Sequence, residues 1–223
     1  MDDRSAALAF VGEMIARNVL AFGDYVLKSG RRSPYFFNLG LIADGEGLNV
    51  LGAAYAAEAL QLPDVPDVFF GPAYKGIPIA TATAVAMQRD HGRNTGAAFN
   101  RKEAKTHGEG GILVGAPMAG RKVAIVDDVV TDGTAKREAV ESVTAAGGDV
   151  IGVVLALDRQ EPVAPGPRTA VQVLERDFGI PVRCVANLDD VISYLDSHAA
   201  FQDHAGRLVR YRREIEGSQA RMT

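Results

Sequence analysis

Residues 123–135, VAIVDDVVTDGTA, narrow the possible folds more than any other stretch of the chain. The segment opens on an apolar, β-branched run of the kind that a strand buried on both faces requires. Two adjacent acids follow, Asp127 and Asp128, then Val129 and Val130, then the polar turn Thr131-Asp132-Gly133-Thr134. Directly after it, KREAVESVTAAGG sets Ala139, Val140, Val143 and Ala146 along one helical face, with Gly147 as a stop. A strand covered on both faces and followed at once by a helix belongs in a parallel sheet between helical layers.

The chain from residue 47 onward keeps that rhythm. Patterning predicts helices over 48–60, 76–89, 136–146, 169–178 and 188–195, and strands over 67–70, 95–99, 123–126, 150–157 and 182–186. Ligands in such α/β sheets bind beyond the carboxyl ends of the strands. The first part of the chain is different. It reads as an amphipathic helix over 5–20, then two short strands, 25–28 and 35–39, around the turn-forming SGRRSP. These segments do not extend the strand–helix alternation, so they form a small N-terminal hood over the main sheet. The expected organisation is a helix and hood over 1–45, an α/β core over 46–198 and a polar helical tail over 199–223.

Composition removes several classes of protein. A formal charge of −4 argues against a general nucleic-acid binder. The one cysteine, Cys184, cannot form an intrachain disulfide and lies in an apolar run that suits a buried thiol. MDDRSAAL lacks the basic start of a signal peptide, and the apolar run 150–157 is too short to cross a membrane. A cytoplasmic protein with neither membrane nor nucleic-acid partners is expected.

Chemistry concentrates at five places. A helix N-terminus offers unpaired N–H groups and partial positive charge, and Gly133 lets the backbone approach an anion, so the loop after 123–130 suits a phosphate. Asp127 and Asp128 can accept hydrogen bonds from the vicinal hydroxyls of a sugar, or serve a divalent cation; a phosphate plus a diol means a ribose phosphate. Taken alone, the acid pair could equally end a strand. FFGPAYKGIPIA, 69–80, repeats the strand–turn–helix design, with Lys75 as a point charge for phosphate oxygens or as an ordinary solvated lysine. NRKEAKTHGEGG, 100–111, has no periodicity and crowds Arg101, Lys102, Lys105 and His107 among hinge-forming glycines, which suits either a mobile lid or a solvated loop. In KSGRRSPYFFN, 28–38, Phe36 and Phe37 point to opposite faces of a strand, so one can be buried while the other stacks on a planar ring. Arg159, just past the 150–157 strand, can fork onto a carboxylate or pair with Asp158 or Glu161.

The 123–135 string resembles the phosphoribosyl diphosphate (PRPP) signature of the type I phosphoribosyltransferases, and the 28–38 and 100–111 strings resemble the orotate phosphoribosyltransferases in particular. The resemblance spans about residues 23–195. It implies an α/β fold with a type I phosphoribosyltransferase-like parallel sheet flanked by helices, under a small N-terminal hood. The implied reaction joins orotate and PRPP to give orotidine 5′-monophosphate and pyrophosphate, a step of pyrimidine biosynthesis. It further implies Mg²⁺ held mainly by PRPP and water, with no direct protein ligand, and a homodimer with shared active sites.

Carried residue by residue, the resemblance assigns catalysis to Arg101, Lys102, Lys105, His107, Asp127 and Asp128. PRPP would be held by these together with Lys28, Tyr74, Lys75, Val129, Val130, Thr131, Asp132, Gly133, Thr134 and Ala135. Phe36, Phe37, Thr131 and Arg159 would hold orotate, and a non-proline cis peptide is implied at Ala73–Tyr74. Asp132 departs from the small residue of the signature; a carboxylate beside a phosphate loop costs affinity unless it points outward or faces a metal. Two other readings share this core: a transferase for another base, such as a purine, which would differ in the hood and at Arg159, and a nucleic-acid-binding regulator, which would need a basic helix where only GRLVRYRREIE stands.

Overall fold

A computed structural model of the protein describes residues 3–27, 30–105, 111–130, 134–163 and 166–219. The core is a six-stranded sheet in the order β5-β4-β3-β6-β7-β8. Its strands are β3 (Val68–Gly71), β4 (Gly96–Lys105), β5 (Gly111–Gly115), β6 (Lys122–Val129), β7 (Asp149–Asp158) and β8 (Val182–Asn187). All neighbours run parallel except β4 and β5, which form an antiparallel hairpin at one edge.

Strand alternation divides the interior into two layers. Val123 and Ile125 of β6 lie with Val68 and Phe70 of β3 and Val153 and Leu155 of β7 on one face. There they meet Ala139, Val140 and Val143 of α4 (Thr134–Ala145) and Leu174 of α5 (Ala170–Phe178). Ala124, Val126, Phe69 and Val154 turn to the other face. That layer is filled by α2 (Gly45–Ala59), α3 (Gly76–His91) and α6 (Leu188–Asp196), and by Phe10, Val11 and Met14 of α1 (Asp3–Ala16). Local signals start several of these helices. Asp44 accepts a hydrogen bond from the Gly47 N–H at 2.7 Å to cap α2, and Thr169 with Gln172 forms a capping box on α5.

The hood is the antiparallel pair β1 (Leu20–Val26) and β2 (Arg32–Phe37), with Leu20 opposite Phe37 and an irregularity between Phe22 and Tyr25. The tail helix α7 (Gln202–Gln219) packs against β2. The opening helix is shorter than its pattern suggested: it ends at Ala16, and Leu20 already belongs to β1. Asn18, at a φ of 56°, makes that break.

The larger difference lies at 100–111. Rather than a loop after residue 99, β4 continues to Lys105 and β5 begins at Gly111, with Asn100 opposite Leu113 and Lys105 opposite Gly111. Sheet order and direction therefore include one antiparallel edge that strand–helix alternation does not anticipate. The cause is physical: Arg101 is half-buried and Lys102 and Glu103 are exposed, so these charged residues carry no apolar alternation to mark them as strand.

Gly52 of α2 faces Ala82 of α3 so closely that an added Cβ would lie 2.4 Å from the Ala82 carbonyl oxygen. Gly52→Ala gains roughly 1 kcal/mol of helix propensity, yet overpacking against backbone costs about 1–3 kcal/mol. The net outcome expected in urea denaturation is destabilisation; an unchanged or raised midpoint would show that α2 and α3 separate freely.

Candidate active site

The tips of β3 and β6 lie side by side because those strands pair directly, Val68 with Val123 and Phe70 with Ile125. Beyond β3 the chain turns through Pro72, Ala73, Tyr74 and Lys75 straight into α3. The turn is tight enough that a Cβ on Gly71 would sit 1.9 Å from the Gly76 carbonyl oxygen. The Ala73–Tyr74 peptide is cis. The Ala73 N–H donates to Asn100 Oδ1 at 2.9 Å, which ties the turn to β4.

Asp127 and Asp128 lie among the last residues of β6, and α4 begins at Thr134. Lys75 crosses from the neighbouring turn and donates to Asp128 Oδ2 at 2.7 Å. With the Lys75 side chain 47% exposed, separating this pair costs roughly 0–1 kcal/mol. An incoming anion can therefore take the lysine.

Asp127 is held differently. It is buried, and its Oδ1 accepts the Asp128 N–H at 2.9 Å while its Oδ2 accepts from Lys136 Nζ. Burial raises its carboxyl pKa above the ordinary value, opposed by the Lys136 charge and reinforced by that of Asp128. From beneath the sheet, the Tyr55 hydroxyl of α2 donates to the Asp127 carbonyl at 2.8 Å. Burial also raises the Tyr55 pKa well above the usual phenol value, so it stays a donor.

Thr134 and Ala135 are exposed at the first turn of α4, the positive end of the helix dipole, which suits an anion. Val130 is buried and Val129 half-buried. Arg101 and Lys102 stand on β4, with Lys102 Nζ 4.9 Å from the centre of the exposed Tyr74 ring. Lys28, His107, Thr131, Asp132, Gly133 and the Lys105 side chain lie outside the described residues.

In the hood, Phe36 is 42% exposed and stacks on Tyr25, while Phe37 packs into the core. The two rings divide as strand alternation requires. Arg159 follows β7 but is buried under the hood, its guanidinium 4.2 Å above the Tyr35 ring. Its Nη2 donates to Glu161 Oε1 at 2.6 Å and to Ser33 Oγ at 3.2 Å, and its Nε to Glu161 Oε1 at 3.0 Å. Arg31 Nη1 and the Tyr211 hydroxyl donate to the same carboxylate, at 3.2 and 2.7 Å. Burial beside Glu161 pushes the Tyr211 hydroxyl up to about 12. Sequence reasoning offered a surface pair with Asp158 or Glu161 as the alternative for Arg159; the pair with Glu161 forms, with Arg159 buried. That reasoning missed Ser33, Tyr211, Tyr55 and Lys136. For Lys136 a signal existed: it lies three and four residues before Ala139 and Val140, on the apolar face of α4.

These turns at neighbouring parallel strand ends define a class, and a family model described as the phosphoribosyl transferase domain matches residues 42–200. An orotate phosphoribosyltransferase of Marinobacter nauticus is 52% identical over 203 residues, covering 91% of this chain and 94% of the relative. One from Pseudomonas aeruginosa is 50% identical with the same coverage. The crystal structure of orotate phosphoribosyltransferase from Francisella tularensis superposes with a TM-score of 0.80 at 35% identity, over 92% of this chain and 98% of that one. The chain thus belongs to the orotate phosphoribosyltransferases of the type I phosphoribosyltransferase family.

The buried Glu161 cluster yields a stability prediction. Glu161→Gln leaves Arg159 charged and buried without a carboxylate and should cost about 3 kcal/mol in urea denaturation. Arg31→Ala removes a more exposed partner and should cost less than about 1 kcal/mol. Equal losses would mean that Arg159 does not depend on Glu161 for its charge.

Proposed function

We propose that the chain transfers the 5-phosphoribosyl group from PRPP to orotate, giving orotidine 5′-monophosphate and pyrophosphate in de novo pyrimidine (UMP) biosynthesis. The observation that carries this reading is the Lys75–Asp128 contact across the β3 and β6 tips, which sets a displaceable cation beside the diol acids. The identity to curated relatives over nine-tenths of the chain supports it.

On this reading Asp127 and Asp128 accept hydrogen bonds from the ribose hydroxyls. Residues 131–133, Thr134 and Ala135 receive the 5′-phosphate at the start of α4. As pyrophosphate leaves, the ribose C1 gains cationic character while charge grows on the departing oxygens. Lys75, Arg101 and Lys102, with Lys105 and His107 of the lid, lower the barrier by stabilising that charge. Tyr74 and Lys28 complete the PRPP contacts. Phe36 stacks on the pyrimidine ring, with Phe37 and Thr131 beside it. Arg159 forks onto the orotate carboxylate after exchanging Glu161 for it.

Mg²⁺ is proposed to enter with PRPP. Among the described residues no group of three His, Cys, Asp or Glu side chains is placed to hold a metal, and Asp127 and Asp128 each face a lysine. This donor set fits a cation whose ligands come mainly from the diphosphate, the sugar hydroxyls and water. Bound there, Mg²⁺ would offset diphosphate charge. The division into hood (1–45), core (46–198) and tail (199–223) is proposed as functional, with the family match over 42–200 in its support. A cytoplasmic setting and a homodimer with shared sites rest on the family resemblance; among the described residues no helix is long and apolar enough to cross a membrane.

The direct test follows the fall in orotate ultraviolet absorbance on adding PRPP and Mg²⁺, beside a panel of purine bases. Loss of absorbance with orotate alone is expected; turnover of a purine instead would overturn the base assignment. Lys105→Ala should lower kcat by about 10²–10³-fold, the scale for losing one transition-state donor, with little change in thermal stability. Retention of most activity would remove Lys105 from the mechanism. For shared sites, mixing a Lys105→Ala chain with an Asp127→Asn/Asp128→Asn chain should restore roughly a quarter of wild-type activity. About half of randomly exchanged dimers are mixed, and each holds one intact site. Background activity despite demonstrated subunit exchange would place the lid in cis.

A further inference from the structure

Lys136 lies in the first turn of α4 on the face that packs against the sheet, and its side chain is only 5% exposed. Two costs oppose a lysine there. Burial strips the ammonium of water, and the helix N-terminus is the positive end of the dipole. Its Nζ meets them by donating to Asp127 Oδ2 and, at 2.7 Å, to the Val129 carbonyl. Both acceptors belong to the strand tip that leads into the phosphate loop. A well-packed apolar side chain would fill the same face of α4 without either cost, so the cation calls for an explanation from the site.

We propose that Lys136 is a positioning residue for PRPP: it keeps Asp127 ionised and turned to accept from the ribose hydroxyls, and it ties the root of the phosphate loop to that acid. The proposal rests on the reading of the β6 tip as the ribose-phosphate site. A carboxylate has about four acceptor positions, and Lys136 with the Asp128 N–H occupies two of them, leaving room for a diol.

The groups around Asp127 make the consequence specific. Asp128, next on β6, is a like charge, and Lys75 from the β3–α3 turn pairs with Asp128 rather than with Asp127. Tyr55 of α2 bonds the Asp127 carbonyl and leaves the carboxylate alone. Among the described residues, Lys136 of α4 is the cation in contact with the Asp127 carboxylate. Burial already favours the neutral acid, so loss of Lys136 drives Asp127 towards protonation. A protonated Asp127 offers a hydrogen where the ribose hydroxyl needs an acceptor. The sign follows: without Lys136, PRPP affinity is low at acid pH and returns as rising pH ionises Asp127.

The test is calorimetric titration of PRPP with Mg²⁺ into wild type, Lys136→Met and Lys136→Arg between pH 6 and 9. Each affinity is taken relative to wild type, because the ligand's own phosphates titrate in all three. Lys136→Met should lose affinity at the acid end of this range, by up to about tenfold for each pH unit below the pKa of its Asp127, and the loss should shrink as pH rises. Lys136→Arg, which keeps the charge, should stay near wild type. Adding Lys136→Met to an Asp127→Asn background should change affinity by a factor independent of pH. A pH-independent loss in the single Lys136→Met variant, or no loss, overturns the proposal and leaves Lys136 a packing residue. Should Lys136→Met fail to fold, Lys136→Gln, which removes the charge but keeps a donor, takes its place in the same titration: a loss that shrinks as pH rises supports the proposal, and a pH-independent loss or none overturns it. Failure of wild type itself to bind PRPP would refute the functional reading and is seen in the same experiment.

Discussion

The parallel pairing of β3 with β6 is the constraint on which the rest of the site depends. It places two strand–turn–helix junctions next to each other, so a lysine from one junction meets an acid from the other. That pairing survives only because β6 is buried on both faces, with Val123 and Ile125 under α4 and Ala124 and Val126 under the opposite helical layer. Strands of this kind can lie in the middle of a sheet and nowhere else. The interior position of β6 therefore fixes where Asp127 and Asp128 emerge, at the edge where parallel sheets present their ligand sites.

Burial then sorts the ion pairs of the site into two kinds. Lys75 is half-exposed and its bond to Asp128 is screened by water, so a phosphate can take the lysine at small cost. Lys136 and Arg159 are almost fully buried, and each is held by a carboxylate together with a neutral oxygen, Val129 carbonyl or Ser33 hydroxyl. Breaking either buried pair by removing one partner leaves a charge in a poor dielectric. The exposed pair is suited to exchange with ligand; the buried pairs are suited to hold geometry.

Much of this was legible in the residues themselves. The acid pair, the hydroxyl- and glycine-bearing turn and the apolar face of α4 sit within one short segment, and local physics dictates each. Phe36 and Phe37 divided between surface and core as alternation requires. What escaped was long-range. No spacing rule brings Tyr55 of α2 to the Asp127 carbonyl, or Tyr211 of α7 and Arg31 of the hood to Glu161, since those contacts join residues far apart in the chain. The β4–β5 hairpin escaped for another reason. Strand patterns are visible where one face is buried, and Arg101 to Glu103 are half-buried or exposed.

On the proposed reading, the Glu161 cluster would give the hood a physical role in choosing the base. Arg159 has a carboxylate partner, a hydroxyl acceptor and an aromatic face beneath it. On the proposed reading, a base must offer a carboxylate of its own to draw the guanidinium away. Glu161 would then fall back on Arg31 and Tyr211, which already donate to it, and no buried charge is stranded. A purine offers no such group, so its binding would leave the Arg159–Glu161 pair in place and gain nothing from it. Selectivity of this kind comes from a polar site that answers one chemical group, which discriminates more sharply than shape alone. The same internal carboxylate keeps Arg159 satisfied between turnovers, so the guanidinium can wait in a buried site without destabilising the fold.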